Sequence, residues 1–213
     1  MKTNTSALLI ALVALTGSNI ALAAGPGASV AAIGSRPGVC CTTPVVQALG
    51  KAESEMLLWM REEEKLAHDV YLSLNSRWQD RVFNSIAVSE QRHFEALGTK
   101  IALFGLTDPA LPTLGVFADQ ELQALYNKLW AQGQASLVAA LSVGASIEEL
   151  DILDLQEALK STLLPYSLQT TYGSLLDGSK NHLRTFVARL QALGIDYEPQ
   201  HIDPVLFDAI VGN

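Results

Sequence analysis

The sequence predicts an all-α fold: a bundle of four long helices in which a long crossover, containing a short extra helix, joins the second to the third. Three observations lead there. The chain is 49% hydrophobic and 17% charged, and it is richer in Ala and Leu than in β-branched or aromatic residues, the composition of helices. Apolar residues recur at alternating three- and four-residue spacings through four long segments, so each segment has one apolar face. Between the second and third segments Pro109, Pro112 and Gly115 interrupt the pattern. A long connection of this kind lets two neighbouring long helices run parallel.

The first helix is expected from Val46 to Trp78, with Leu57, Met60, Glu64, Ala67, Tyr71, Leu74 and Trp78 in a heptad-like stripe. The second opens near Asn84 and Ser85, either of which can cap it, and runs to Gly105. Its apolar face carries Ile86, Glu90, His93, Phe94, Leu97, Ile101 and Phe104. A short helix from Ala118 to Trp130 packs through Leu122, Leu125, Tyr126 and Leu129. The third long helix begins near Ser136, passes Gly144 and a cap at Ser146, and reaches Leu163, with Ile147, Glu148, Asp151, Leu155, Ala158 and Leu159 on one face. The fourth follows Pro165 and stops at Leu193 and Gly194. Leu175, Leu176, Ser179, His182, Leu183, Phe186 and Leu190 share its face. The tail beyond it, with Tyr197, Pro199, His201 and Phe207, is expected to fold back over the helices.

Ahead of the helical domain (residues 46–213) stand two other segments. Residues 1–24 read as a secretory signal peptide: Met1 and Lys2 give a positive start, Ala7 to Leu15 an apolar run, and Ala21-Leu22-Ala23 a small-residue cleavage pattern. That run is short for a bilayer span, and no Cys follows it as a lipid anchor requires. Residues 25–45, rich in Gly, Pro, Ala and Ser, read as a flexible linker. A secreted or periplasmic protein is expected, with no stable membrane span after cleavage. The linker holds the two cysteines of the chain, Cys40 and Cys41. Adjacent cysteines close a strained ring, so intermolecular pairing, free thiols and capping by small thiols all stay open.

The formal net charge is −8 and no Lys/Arg run occurs. Nucleic acid and anionic membrane surfaces, which are bound by clustered basic residues, are thereby disfavoured as partners.

The chemistry lies in polar residues within the apolar stripes: Glu64 on the first helix, Glu90 and His93 on the second, Glu148 and Asp151 on the third, His182 on the fourth. Taken singly, each has an ordinary explanation; Glu148 and Asp151, for example, could offset a helix N-terminal dipole. Together they do not, because burying uncompensated carboxylates costs several kcal/mol each, roughly, and no matching core Arg or Lys set stands on these faces. Divalent cations are the simplest compensation. Glu-x-x-His, as in Glu90 and His93, lets a carboxylate and an imidazole of one helix grip one ion. A dinuclear site of these six residues follows, holding two divalent metal ions. The mixed oxygen and nitrogen donors suit iron first, with manganese or zinc also compatible.

Four ordered motifs, 63-EEKLAHDVY-71, 89-SEQRH-93, 148-EELDILDL-155 and 178-GSKNHL-183, carry a family resemblance from about Met56 to Leu193. On them the chain resembles the ferritin-like superfamily, and within it a prokaryotic, rubrerythrin-related domain family of unknown function. The resemblance implies a ferritin-like four-helix bundle with a di-iron carboxylate site, acting on dioxygen or peroxide as an oxidoreductase or ferroxidase. It also implies a Tyr seven residues after the first-helix Glu, as Tyr71 follows Glu64. One departure concerns the fourth helix, where ferritin-like enzymes carry Glu-x-x-His and this chain has Ser179 and His182. Ser is a poor ligand, so the site either lacks a carboxylate, uses water, or draws on Asp151, Asp154 or Glu149. The third helix offers more acids than are needed; Glu148 and Asp151 are preferred because they share the face of Ile147, Leu155 and Ala158. No rubredoxin-type cysteine cluster is present, so a peroxidase cycle would need an external reductant. Nothing indicates shell assembly, and a homodimer remains open. The competing expectation is a secreted helical module, binding or structural, with a degenerate or absent metal site.

Overall fold

The computed structural model describes residues 48–212. The expected signal peptide, the linker with Cys40 and Cys41, and the expected helix start at Val46 lie outside the described residues. Among those described there are six helices and no strand.

Helix α1, Lys51–Trp78, opens after an extended Gly50, later than the spacing suggests. Glu53 in its first turn and Arg77 in its last complement the helix dipole. Only Gln79 and Asp80 separate it from α2, Arg81–Leu103. Gln79 takes the left-handed conformation at φ 52°, a conformation that costs a non-glycine residue roughly 1–2 kcal/mol. Asp80 then accepts the Val82 N–H and pairs with Arg189 at 2.9 Å. Hence α2 starts there, and Asn84 and Ser85 are exposed residues of its first turns. A tie to a residue far along the chain favours Asp80 over Asn84 and Ser85, the caps that the local sequence offers.

Asp119 caps α3, Gln120–Gly133. Ser136 caps α4, Leu137–Ala158, which is continuous through Gly144 and Ser146 and ends short of Leu163. Gly144 does not break it, because the absent side chain is what admits the Phe186 ring: a Cβ there would lie 2.5 Å from that ring. Ser146 is no cap either, since its hydroxyl lies 2.9 Å from His201 Nε2. After Pro165 comes α5, Tyr166–Gln191, and Gly194 at φ 77° turns the chain beyond it. The last helix is α6, Pro204–Val211. No helix among the described residues is long and apolar enough to cross a membrane.

The contacts fix the directions of the long helices. Arg61 meets Phe94 and Glu64 meets His93, so α1 and α2 run oppositely. Tyr71 meets Glu148 while Glu63 meets Asp154, so α1 and α4 also oppose. Phe83 packs on Phe186 and Glu90 on His182, which makes α5 antiparallel to α2. Helices α2 and α4 therefore point the same way, as the long crossover requires. The strongest packing pairs α1 with α2 and α4 with α5, so these two parallel helices face each other across the interior instead of lying side by side.

The apolar interior has two parts. One gathers Ala67, Tyr71, Phe83, Ile86, Leu183 and Phe186, the other Leu57, Met60, Leu97, Leu155, Tyr172 and Leu175. Along every long helix the polar stripe residues fall between the two. Full burial of each Leu or Phe is worth roughly 1.5–3 kcal/mol, so the two apolar layers hold a polar layer between them that would not hold itself.

Helix α1 does bury two cations, Arg61 and Lys65, but they serve the crossover. Arg61 pairs with Asp108 at 2.8 Å. Lys65 binds Asp69 and donates to the Thr113 and Val116 carbonyls, while Asp69 also accepts the Gly115 N–H.

The tail folds back as expected, burying Ile202, Phe207 and Ile210. Its anchor is Glu149, whose carboxylate accepts the Tyr197 hydroxyl and the N–H groups of Gln200, His201 and Ile202. Glu149→Ala would leave these donors unpaired. A loss of about 2–4 kcal/mol is expected in urea unfolding, since a stranded buried donor costs ~1–3 kcal/mol and of the four only the Ile202 N–H is fully buried while the part-buried others regain water, with faster amide exchange confined to 195–212. Unchanged exchange there would refute the anchor.

Candidate metal centre

The six polar stripe residues converge on the layer between the two apolar clusters. Glu90, fully buried, is central. Its Oε2 lies 2.9 Å from His93 Nδ1, which is also 3.3 Å from Glu64 Oε2. Its Oε1 lies 2.7 Å from His182 Nδ1, which is also 3.4 Å from Glu148 Oε2. Two donor triads result, Glu64 with Glu90 and His93, and Glu90 with Glu148 and His182. In each triad the ligand atoms lie within 4.8 Å of one another, and Glu90 belongs to both. The two imidazoles stack with ring centroids 5.5 Å apart. Asp151 is also buried, at 6% exposure, but stands outside both triads.

These close atoms are not aligned as hydrogen bonds. Glu64 Oε2, both Glu90 oxygens, Glu148 Oε2, Asp151 Oδ2 and both Nδ1 atoms are buried without a hydrogen-bond partner. A native interior seldom strands so many polar atoms together. Oxygen and imidazole donors crowded together at 2.7–3.4 Å, none of them aligned as a hydrogen bond, fit a divalent cation, so the residues present suit the group that the sequence implied.

The charges agree. Burial pushes Glu64 up to about 8 despite His93, and Glu148 up to about 7, with Glu90 adding to the rise. Asp151 is raised well above the carboxylate range by burial and by Glu64 and Glu148. Burial works the same way on Glu90, yet His182 and His93 outweigh it and hold Glu90 below the usual range. Burial pulls both imidazoles down, but the carboxylates win, raising His93 to about 10 and His182 to about 11. Without metal, imidazolium protons supply the positive charge that the acids require.

The supporting residues are specific. Tyr71, kept protonated by burial and by Glu148 and Glu90, donates to Glu148 Oε1 at 2.6 Å and fixes that carboxylate. Ser179 turns its hydroxyl back to the Leu175 carbonyl at 3.1 Å; Glu149 is committed to the tail. Of the substitutes considered for a fourth-helix carboxylate, Asp151 is the one with a buried, unpartnered oxygen that also feels the charges of Glu64, Glu148 and Glu90. Glu148 and Asp151 sit roughly three turns inside α4, so the dipole explanation does not apply to them.

Sequence spacing did not single out Gly178, although the feature is a glycine directly before Ser179. A Cβ there would come within 2.6 Å of the His93 ring. Gly178→Ala is expected to displace that ring: helicity is kept, because Ala favours helix by about 1 kcal/mol, while metal affinity falls. Unchanged affinity would show that His93 does not need this space. A surface cavity of about 630 Å³ lies elsewhere, at the α1–α2 turn beside Asn75, Gln79 and Arg81.

Comparison with known proteins places the chain. Residues 53–213 match the family model described as an uncharacterized protein domain, DUF2202. An uncharacterized protein of Methanocaldococcus jannaschii, MJ0754, is 40% identical over 168 residues, covering 78% of this chain and 90% of that protein. The crystal structure of the hypothetical protein MJ0754 superposes with a TM-score of 0.77, covering 79% of this chain and 96% of the other. The chain belongs to the DUF2202 family.

Proposed function

We propose that this chain is a ferritin-like four-helix-bundle protein that holds two divalent metal ions, iron by preference, and acts outside the cytoplasm on dioxygen or peroxide as an oxidoreductase or ferroxidase. The observation that carries this reading is the double triad around Glu90, with its buried donor atoms left unpaired. Antiparallel pairing of the long helices and the parallel course of α2 and α4 support the bundle.

Glu64 and His93 would hold one ion, Glu148 and His182 the other, with Glu90 between them and Asp151 adding a carboxylate on the Glu64 side. Bound iron would supply and accept the electrons that an oxygen substrate exchanges. The remaining work belongs to the chain: Tyr71 orients Glu148, Gly178 leaves room for His93, and the apolar layers exclude water. Excluding water strengthens every charge interaction within.

The test is anaerobic iron loading of the purified protein followed by metal analysis and an oxygen-consumption assay. About two ions per chain, the stoichiometry of ferritin-like di-metal sites, together with oxygen uptake, supports the proposal; no retained metal refutes it. A second reading, a non-catalytic module with a degenerate site, draws on the bond that turns Ser179 toward Leu175 and away from ligation. Bound metal with no oxygen or peroxide consumption would favour it.

A further inference from the structure

A second set of buried acids adjoins the six-residue centre. Glu63, immediately before Glu64, points toward α4, where its carboxyl group meets that of Asp154. Glu63 is 9% exposed and Asp151 6%, while Asp154 is half-buried. Glu63 Oε2, Asp154 Oδ2 and Asp151 Oδ2 are each buried with no hydrogen-bond partner. Asp151 lies near enough to both Glu63 and Glu64 to feel their charge. The acids thus form a file, from Asp154 at the rim through Glu63 and Asp151 to Glu64.

Among the described residues, the charges that act most on Glu63 and Asp154 are those of other acids, Glu64 and Glu157 as well as each other, and the buried cations of α1 are committed to the crossover. Two carboxylates in contact need either a shared proton or a cation. The file opens at the rim and ends at a metal-type centre, which favours the cation.

We propose that Glu63 and Asp154 form a third divalent-cation site on the α1–α4 seam, and that Asp151 passes the ion inward. The transfer rests on the dinuclear reading above; the third site does not. Oxygen-only donors hold a hard divalent ion loosely and exchange it readily, whereas the inner triads add imidazole. That gradient draws the ion from rim to centre.

Terbium(III) is a suitable probe, because the Trp59 indole borders Glu63 and an indole sensitises the emission of nearby terbium. The full chain should give tryptophan-sensitised emission that manganese(II) displaces. A Glu63→Gln/Asp154→Asn variant, folded by circular dichroism, should bind terbium at this site at least about tenfold more weakly. Trp59→Phe should lose emission yet keep the bound terbium. Emission absent from the native chain, or unchanged in the double variant, would overturn the third site in favour of a shared proton. Cobalt(II), followed by its visible absorption, reports the inner centre. The double variant should reach the native cobalt amplitude more slowly, and equal rates would overturn the transfer. A missing cobalt band in every variant, with terbium emission intact, would refute the inner centre and leave the outer site standing.

Discussion

Glu90→Ala is expected to abolish metal binding at both halves of the centre while the protein stays helical. Glu90 is the one residue shared by the two triads, so its loss removes a ligand from each. His93→Ala should weaken only the half that contains Glu64. The metal-free proteins should differ too. Glu90 is fully buried between two imidazoles, and removing one partner from a buried charged set costs about 3–5 kcal/mol. Metal analysis after iron loading, read beside urea unfolding of the metal-free forms, checks both points. Full metal content in Glu90→Ala would refute the assignment.

The second large effect is a reversal of pH dependence on metal removal. In the metal-free chain His93, His182, Glu64 and Glu148 are all raised. A raised value means that the folded state binds more protons than the unfolded state between the unfolded and folded values. The protons are shared by the set, and the window runs from the ordinary carboxylate range to the imidazole values of about 10 and about 11. Through it, stability falls as pH rises, by up to ~1.4 kcal/mol per pH unit for each extra proton held. Glu90 is lowered, so its contribution is present above the ordinary carboxylate value and lost only as pH falls below it, outside that window. Metal needs the deprotonated ligands, so its affinity grows with pH. Urea midpoints should therefore drop from about pH 6 to about pH 9 without metal, through loss of those protons, and hold or rise with it. Parallel curves would sink the expectation.

Much of this was legible beforehand. The stripe on α1 placed Leu57, Met60, Glu64, Ala67, Tyr71 and Leu74 correctly in the interior, because helical period and burial are the same constraint. The Glu90 and His93 spacing was equally plain, since neighbours three apart share a face whatever the helix packs against. Helix ends were less legible. Asp80 and Asn84 are comparable caps locally, and the ion pair with Arg189 favours Asp80. On α4, Ser146 looked like a cap and proved to meet His201 from within a continuous helix, while Gly144 proved to be the seat of the Phe186 ring.

Among the acids of α4 the division of labour was invisible in one dimension. Glu148, Glu149, Asp151 and Asp154 are chemically alike, yet Glu148 meets Tyr71, Glu149 holds the tail, Asp151 borders the centre and Asp154 meets Glu63. The sequence by itself determined that this chain is helical and that acids and imidazoles stand in its apolar stripes, because period and residue type are local properties. Only the tertiary structure decided which of those acids face one another, and that the Ser179 hydroxyl faces none of them. A carboxylate's role depends on what lies opposite it, and for these residues that is set by helices far apart in the chain.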